Sequence, residues 1–293
     1  MMNAHALGRG AAPFLLLVGL AVAHLLGVAL FLGEARALQL THELAYWAGS
    51  LLGVAGTVYA ARAFVPGDHL RRVWGLLAAG AALLLVGTAL RTYWILVAGA
   101  APFASSPLLP YRMVVVVLAN VLSTWALVLL AFTYQRAGLS PPSTWRSRLL
   151  WCAGLVAALC VAVPQLRSDL AQLQLGAAQA LSAVTSLVST LGDTLTILLI
   201  VPLLRAAYLM RGGRLARVWW VMGLSGVAWL LYDVRAWLAL LAPGHEATAL
   251  ELLRVTRTLG LAAVGVAGWL QRSALAPAVA QPAAAPELAP TGR

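Results

Sequence analysis

Apolar residues fall along this chain in long uninterrupted runs, not in the alternating or one-sided patterns of soluble elements. Eight runs stand out: Pro13–Leu32, Leu44–Phe64, Val73–Ala98, Met113–Tyr134, Leu149–Val163, Leu191–Met210, Val218–Leu241 and Leu252–Leu270. A hydrocarbon layer takes roughly 20 apolar residues per helical crossing, and a helix satisfies its own backbone polar groups there. The runs therefore predict an all-α fold, a polytopic membrane helix bundle of about eight spans. The fifth run is the shortest. After it, across Gln165–Thr190, Leu170, Leu173, Ala177, Leu181, Val184 and Val188 recur at helical spacing with Gln172, Gln174, Gln179, Ser182 and Ser186 between them. That pattern predicts an interfacial amphipathic helix or an extension of the sixth span. The expected organisation is a cytoplasmic N-terminus over 1–12, a transmembrane domain over 13–272, and a disordered Ala/Pro-rich cytoplasmic tail over 273–293. The first run exceeds the roughly 7–15 residues of a signal-peptide core, so it reads as a retained helix.

Composition sharpens the class. Of 293 residues, 62% are hydrophobic and 10% charged, against about a quarter charged in soluble domains. This excludes a soluble globular enzyme and a disordered chain. The net charge of +11 comes from arginine alone, since lysine is absent. The arginines sit between apolar runs, which points to loops facing anionic lipid and away from nucleic acid. With eight spans, thirteen arginines fall on the face that bears both termini and seven on the other. The positive-inside bias then makes both termini cytoplasmic. The arginine-only, alanine-rich usage suggests a high-GC bacterial source, hence a bacterial inner membrane. Cys152 and Cys160 share one run at a spacing too long for a disulfide and read as small buried residues.

The chain also echoes itself. Gly67-Asp-His-Leu-Arg-Arg-Val-Trp74 and Gly212-Gly-Arg-Leu-Ala-Arg-Val-Trp219 are identical at five of eight positions, at an offset of 145. Both octets lead into a span. The offset is half the chain, which predicts two tandem four-helix halves, 13–136 and 149–272.

Charges in or beside a span are costly and come first as candidate chemistry. Asp193, Asp233, Arg235, Arg91, Glu251, Arg254, Arg257 and Glu43 are expected at one depth, just below the outer surface. Glu251, Arg254 and Arg257 recur every three residues and so share a helix face. One reading is an outer-side pocket in which arginine forks bind an anionic ligand and carboxylates position them. The other is helix-end ion pairing that fixes packing, with Asp193 favoured by a helix dipole. His24 lies inside the first span with no facing partner, His42 being placed at the start of the second, so it reads as a packing residue and haem is not expected. The cysteines lack histidines at ligand spacing, so no metal is expected. Gly223-Leu-Ser-Gly226 matches the short serine motif of rhomboid proteases, but the last run holds no histidine to act as base, so no catalytic residue is assigned. Small residues in Gly49, Gly53, Gly56 and in Gly260, Gly265, Gly268 predict close-packed faces. Tyr93, Trp94, Tyr232 and Trp237 on one side, with Trp74, Trp219 and Trp220 on the other, read as interfacial belts.

The stretch Leu191-Gly-Asp193 through Tyr232-Asp233, with Arg211-Gly-Gly-Arg-Leu-Ala-Arg-Val-Trp219 between two apolar spans, resembles the multi-helix membrane sensor regions that precede bacterial diguanylate cyclase and histidine kinase domains. It covers about a sixth of the chain. The resemblance implies that Asp193 and Asp233 match the family's two acidic positions. No Gly-Gly-Asp-Glu-Phe or kinase segment follows the last span, so a sensor of this kind is expected to signal through a cytoplasmic partner. The expected function is thus a non-enzymatic sensor or signalling scaffold with no cofactor, with the bilayer and a small outer ligand as partners. Small-solute or ion transport, and membrane assembly or lipid handling, are the alternatives.

Overall fold

The computed structural model describes residues 4–98, 106–136, 144–173, 177–209 and 213–275. Among these there are helices and turns and no strand: α1 (Ala4–Phe31), α2 (Ala35–Ala61), α3 (His69–Ala98), α4 (Leu109–Arg136), α5 (Trp145–Gln172), α6 (Ala177–Leu209), α7 (Arg214–Asp233), α8 (Arg235–Ala239), α9 (Glu246–Leu253) and α10 (Val255–Leu275). Six are long and apolar enough to cross a membrane: α1, α2, α3, α4, α5 and α7. This is the make-up of a multi-pass membrane protein. α10 is not among the six. It carries Thr256, Arg257, Thr258, Gln271 and Arg272, and much of it is buried against α1, α2 and α7. A helix sheathed by protein need not be apolar all round.

Several boundaries differ from the sequence expectation. Ala4 already belongs to α1, so the N-terminal segment is largely helical. Of the two readings of the amphipathic stretch, the extension of the sixth span holds for 177–190, which opens α6, while its first part belongs to α5, which runs on through Pro164 to Gln172. The seventh run breaks at Val234, and the eighth begins as a short α9 that turns at Arg254. Of the expected tail, 273–275 close α10 and 276–293 lie outside the described residues.

Six helices form a closed ring in the order α2, α3, α4, α6, α7, α10, with α10 packed most extensively against α2 and α7. α1 lies outside across α2 and α10, and α5 rests on α6. Cys152 and Cys160 are exposed on α5, not buried as expected. The start of α3 is fixed by Asp68, whose Oδ1 accepts the Leu70 N–H at 2.7 Å, an N-cap bond. Gly67 makes the turn before it at φ +91°, which favours glycine. Gly213 takes the corresponding cap position before α7, so the two octets seen in the sequence open α3 and α7. Their tryptophans correct the belt reading. Trp74 and Trp219 are fully buried and join Leu77, Leu127, Leu130 and Met222 in the apolar core that fills the ring here. Trp220 and Tyr93 do face outward.

The α2–α10 seam rests on glycine. A Cβ on Gly53 would lie 2.9 Å from the Leu261 carbonyl oxygen, and one on Gly56 or Gly265 would overlap the backbone of the facing helix. Without a hydrophobic force between helices in lipid, such backbone contact is what holds them. The seam brings α2's His42, Glu43 and Tyr46 up against α10's Arg257 and Thr258. This charged end of the bundle also receives the α1–α2 turn, the end of α3 and the start of α4.

Candidate functional site

Two structures share the charged end. The first is a buried polar layer. Glu43, 2% exposed, lies with Oε1 2.9 Å from Arg91 Nη2 and with Oε2 accepting the Thr92 hydroxyl at 2.8 Å. The Trp47 indole N–H donates to Thr92 Oγ1 at 3.0 Å. The Arg91 charge and the Thr92 hydroxyl offset the burial of a carboxylate, which otherwise costs several kcal/mol, although Oε1 accepts no hydrogen bond of its own. Beside it, Thr258 Oγ1 and His24 Nδ1 stand 2.9 Å apart, as do His24 Nε2 and His42 Nδ1. His42 Nε2 is 2.8 Å from Glu251 Oε2, which also accepts Arg254 Nη1 at 2.7 Å. His24, His42 and Thr258 are at most 2% exposed. The expectation that His24 has no partner is therefore wrong: His42 lies two turns inside α2 and meets it directly.

The second structure is a cavity of about 230 Å³ inside the ring, between α3, α4, α6, α7 and α10. Arg112, Tyr232, Asp233 and Arg257 line its charged end. Deeper, Asn120, Ser123, Ser189, Thr196 and Ser225 give it polar walls, and Leu77, Leu127 and Met222 close it against the core. Asn120 donates to Ser189 Oγ at 2.7 Å, and Ser225 Oγ donates to the Gly260 carbonyl at 2.8 Å. Arg257 is 7% exposed, with its guanidinium carbon 4.4 Å from the centre of the Tyr46 ring and 5.8 Å from that of Tyr232. These faces stabilise a cation. Among the described residues no carboxylate lies within ion-pair distance of Arg257, and its Nε has no hydrogen-bond partner.

Of the residues singled out from sequence, Glu43, Arg91, Glu251, Arg254, Arg257 and Asp233 do meet at one end. Arg257 turns inward to the cavity while Glu251 and Arg254 pair nearer the surface. Arg235 serves its own neighbourhood, with Nη1 donating to the Tyr232 carbonyl at 2.6 Å and its guanidinium 4.0 Å from the Tyr232 ring centre. Asp193 falls in α6, and its side chain lies outside the described residues, as does that of Trp237. Sequence reasoning missed His24–His42, Tyr46 and Arg112. Two signals were available. His24 and His42 are each nine residues from Gly33 in the α1–α2 turn, and antiparallel neighbours equidistant from a turn share a depth. Arg112 and Arg257 stand at the same offset of 145 as the repeated octets.

No family model, curated protein or solved structure matches this chain. Among the described residues no group of three or more His, Cys, Asp or Glu side chains is placed to hold a metal ion.

Proposed function

We propose that this is a non-enzymatic integral membrane protein of sensor type that takes a small anionic solute into the ring cavity. Arg257 is the observation that carries the reading. A guanidinium buried in a membrane bundle is costly, and aromatic faces offset that cost only in part. A carboxylate or phosphate group entering the cavity supplies the missing bidentate partner. Arg257 stands on α10, which both α2 and α7 lean on, so a ligand that prefers one packing of that helix shifts the bundle between packings. On this reading the state is passed to a cytoplasmic partner, the charged end faces outward, and both termini are cytoplasmic in a bacterial inner membrane.

The proposal includes eight spans in two four-helix halves. Support comes from the cavity lining, where Leu77 and Met222, Ala81 and Gly226, Leu84 and Trp229, Arg112 and Arg257, and Val116 and Leu261 are each 145 residues apart. The packing of α3 on α4 corresponds to that of α7 on α10, and α4 on α6 to α10 on α2. A cavity walled by corresponding residues of two repeats also favours a second reading, transport of the same anion by alternating access.

Thermal unfolding of the protein in nanodiscs, with small carboxylates and inorganic phosphate, tests the pocket. The wild type is expected to gain stability with at least one anion, and Arg257→Gln to fold without that gain. If no anion shifts the wild type, or Arg257→Gln keeps the shift, the pocket reading fails. Counterflow in proteoliposomes then separates transport from sensing.

A further inference from the structure

The four residues Thr258, His24, His42 and Glu251 come from α10, α1, α2 and α9, and every ring nitrogen of the two histidines faces one of them or the other histidine. Glu251 forms an ion pair with the permanently charged Arg254 guanidinium at 2.7 Å, which favours its carboxylate form. His42 Nε2 must then carry the hydrogen in the 2.8 Å contact with it. That leaves His42 Nδ1 as an acceptor, so His24 Nε2 carries the hydrogen between the rings, and His24 Nδ1 accepts from the Thr258 hydroxyl. The tautomers follow from the network, and all three hydrogen bonds point the same way, toward Glu251.

We propose that this chain is a binding site for one exchangeable proton, a second ligand independent of the anion reading. An added proton makes His24 an imidazolium, and its Nδ1–H now donates to Thr258 Oγ1, whose hydroxyl turns from donor to acceptor. Transfer then breaks the His24 Nε2–H and His42 Nε2–H bonds. It forms His42 Nδ1–H and an O–H bond on Glu251. Both rings end neutral in the opposite tautomer, and the imidazolium and carboxylate charges cancel. No heavy atom needs to travel, because each donor already sits 2.8–2.9 Å from its acceptor. The proton is taken up at the His24–Thr258 end, and Glu251, whose side chain is 20% exposed, is the end that releases it to water.

The groups facing the pair set its charge balance. α2 contributes Glu43 and Tyr46, α3 Arg91, α9 Glu251, and the α9–α10 junction and α10 contribute Arg254 and Arg257. Three arginines oppose an imidazolium, Glu43 is taken up by its pairing with Arg91, and the Glu251 carboxylate is the one in contact with the relay. Thr258 adjoins Arg257, so the turn of its hydroxyl reports proton occupancy to the helix turn that bears the cavity arginine.

The experiment is ring-nitrogen NMR in nanodiscs. Five histidines are present, so the variant His5→Gln, His69→Gln, His245→Gln leaves signals from His24 and His42 alone. Scalar coupling between a nitrogen of each ring is expected, with both rings titrating together as one proton is taken up. Glu251→Gln is expected to keep the coupling and abolish the tautomer exchange. Absence of coupling between the rings, or two independent one-proton titrations, or tautomer exchange unchanged in Glu251→Gln, would overturn the proposal. The ring signals of the triple variant with Glu251 intact decide the first two points even if Glu251→Gln fails to fold.

Discussion

Glu43 shows at residue scale how a charge survives inside this bundle: one guanidinium and one hydroxyl occupy its two oxygens. Removing the charge while keeping the shape leaves Arg91 unopposed. Breaking a buried pair in this way costs about 3–5 kcal/mol. Arg91 is 21% exposed, so Glu43→Gln is expected below that range, and Thr92→Val near about 1 kcal/mol, the worth of one hydrogen bond. Thermal unfolding in one lipid composition measures both. At the cavity, Arg257→Lys keeps the charge and loses the fork. One charge-assisted hydrogen bond, about 1.5 kcal/mol, corresponds to roughly tenfold weaker anion binding, readable from the concentration dependence of the stability gain. Glu246 gives a separate test outside the spans. Its own backbone N–H and that of Gly244, whose nitrogen is 3.0 Å from Oε1, hold the carboxyl below the ordinary glutamate range. Its contribution is therefore present above the ordinary value and lost as pH falls through the lowered one. Carbon-detected NMR of the side chain is expected to show the depressed titration, and Glu246→Gln to flatten the acid limb of stability.

At the scale of elements the helices themselves were largely legible, because runs of apolar residues long enough to span lipid have few other structures open to them. Their ends were not. The breaks at Val234 and Arg254 follow packing at the charged end, where aromatic and ionic contacts override hydropathy. The two glycine triads read as close-packed faces: Gly49, Gly53 and Gly56 pack on α10, Gly265 and Gly268 pack back on α2, and Gly260 meets the Trp229 ring of α7 instead. Overpacking such a contact costs about 1–3 kcal/mol, so Gly56→Ala and Gly265→Ala are each expected to lower thermal stability. Gly75 lies in α3 with nothing near its missing Cβ. Gly75→Ala is expected to be neutral or to stabilise by about 0.5–1 kcal/mol. Equal losses at all three positions would show that the seam does not hold the bundle.

At the scale of the molecule, the candidate site was half legible. The charges announced themselves, since each is expensive in a membrane, but their partners did not. His42 and Tyr46 look like ordinary interior residues until α1, α2 and α10 are brought together, and only tertiary packing does that. The buried Trp74 and Trp219 misled for the opposite reason: tryptophan near a span end is commonly interfacial, whereas the ring has space for both. If the ring encloses a working cavity, Met222→Trp is expected to fill it and abolish any anion-induced stabilisation while leaving the protein folded, as unfolding without added anion would show. α10 also sets the order of biogenesis. Residues 255–275 leave the ribosome after every helix they hold together. Until then Glu43, His42 and Tyr46 have no α10 to cover them and depend on lipid or a membrane chaperone. A stop codon at position 243 is expected to yield α1–α8 with the ring left open between α2 and α7, a product for membrane proteases to clear.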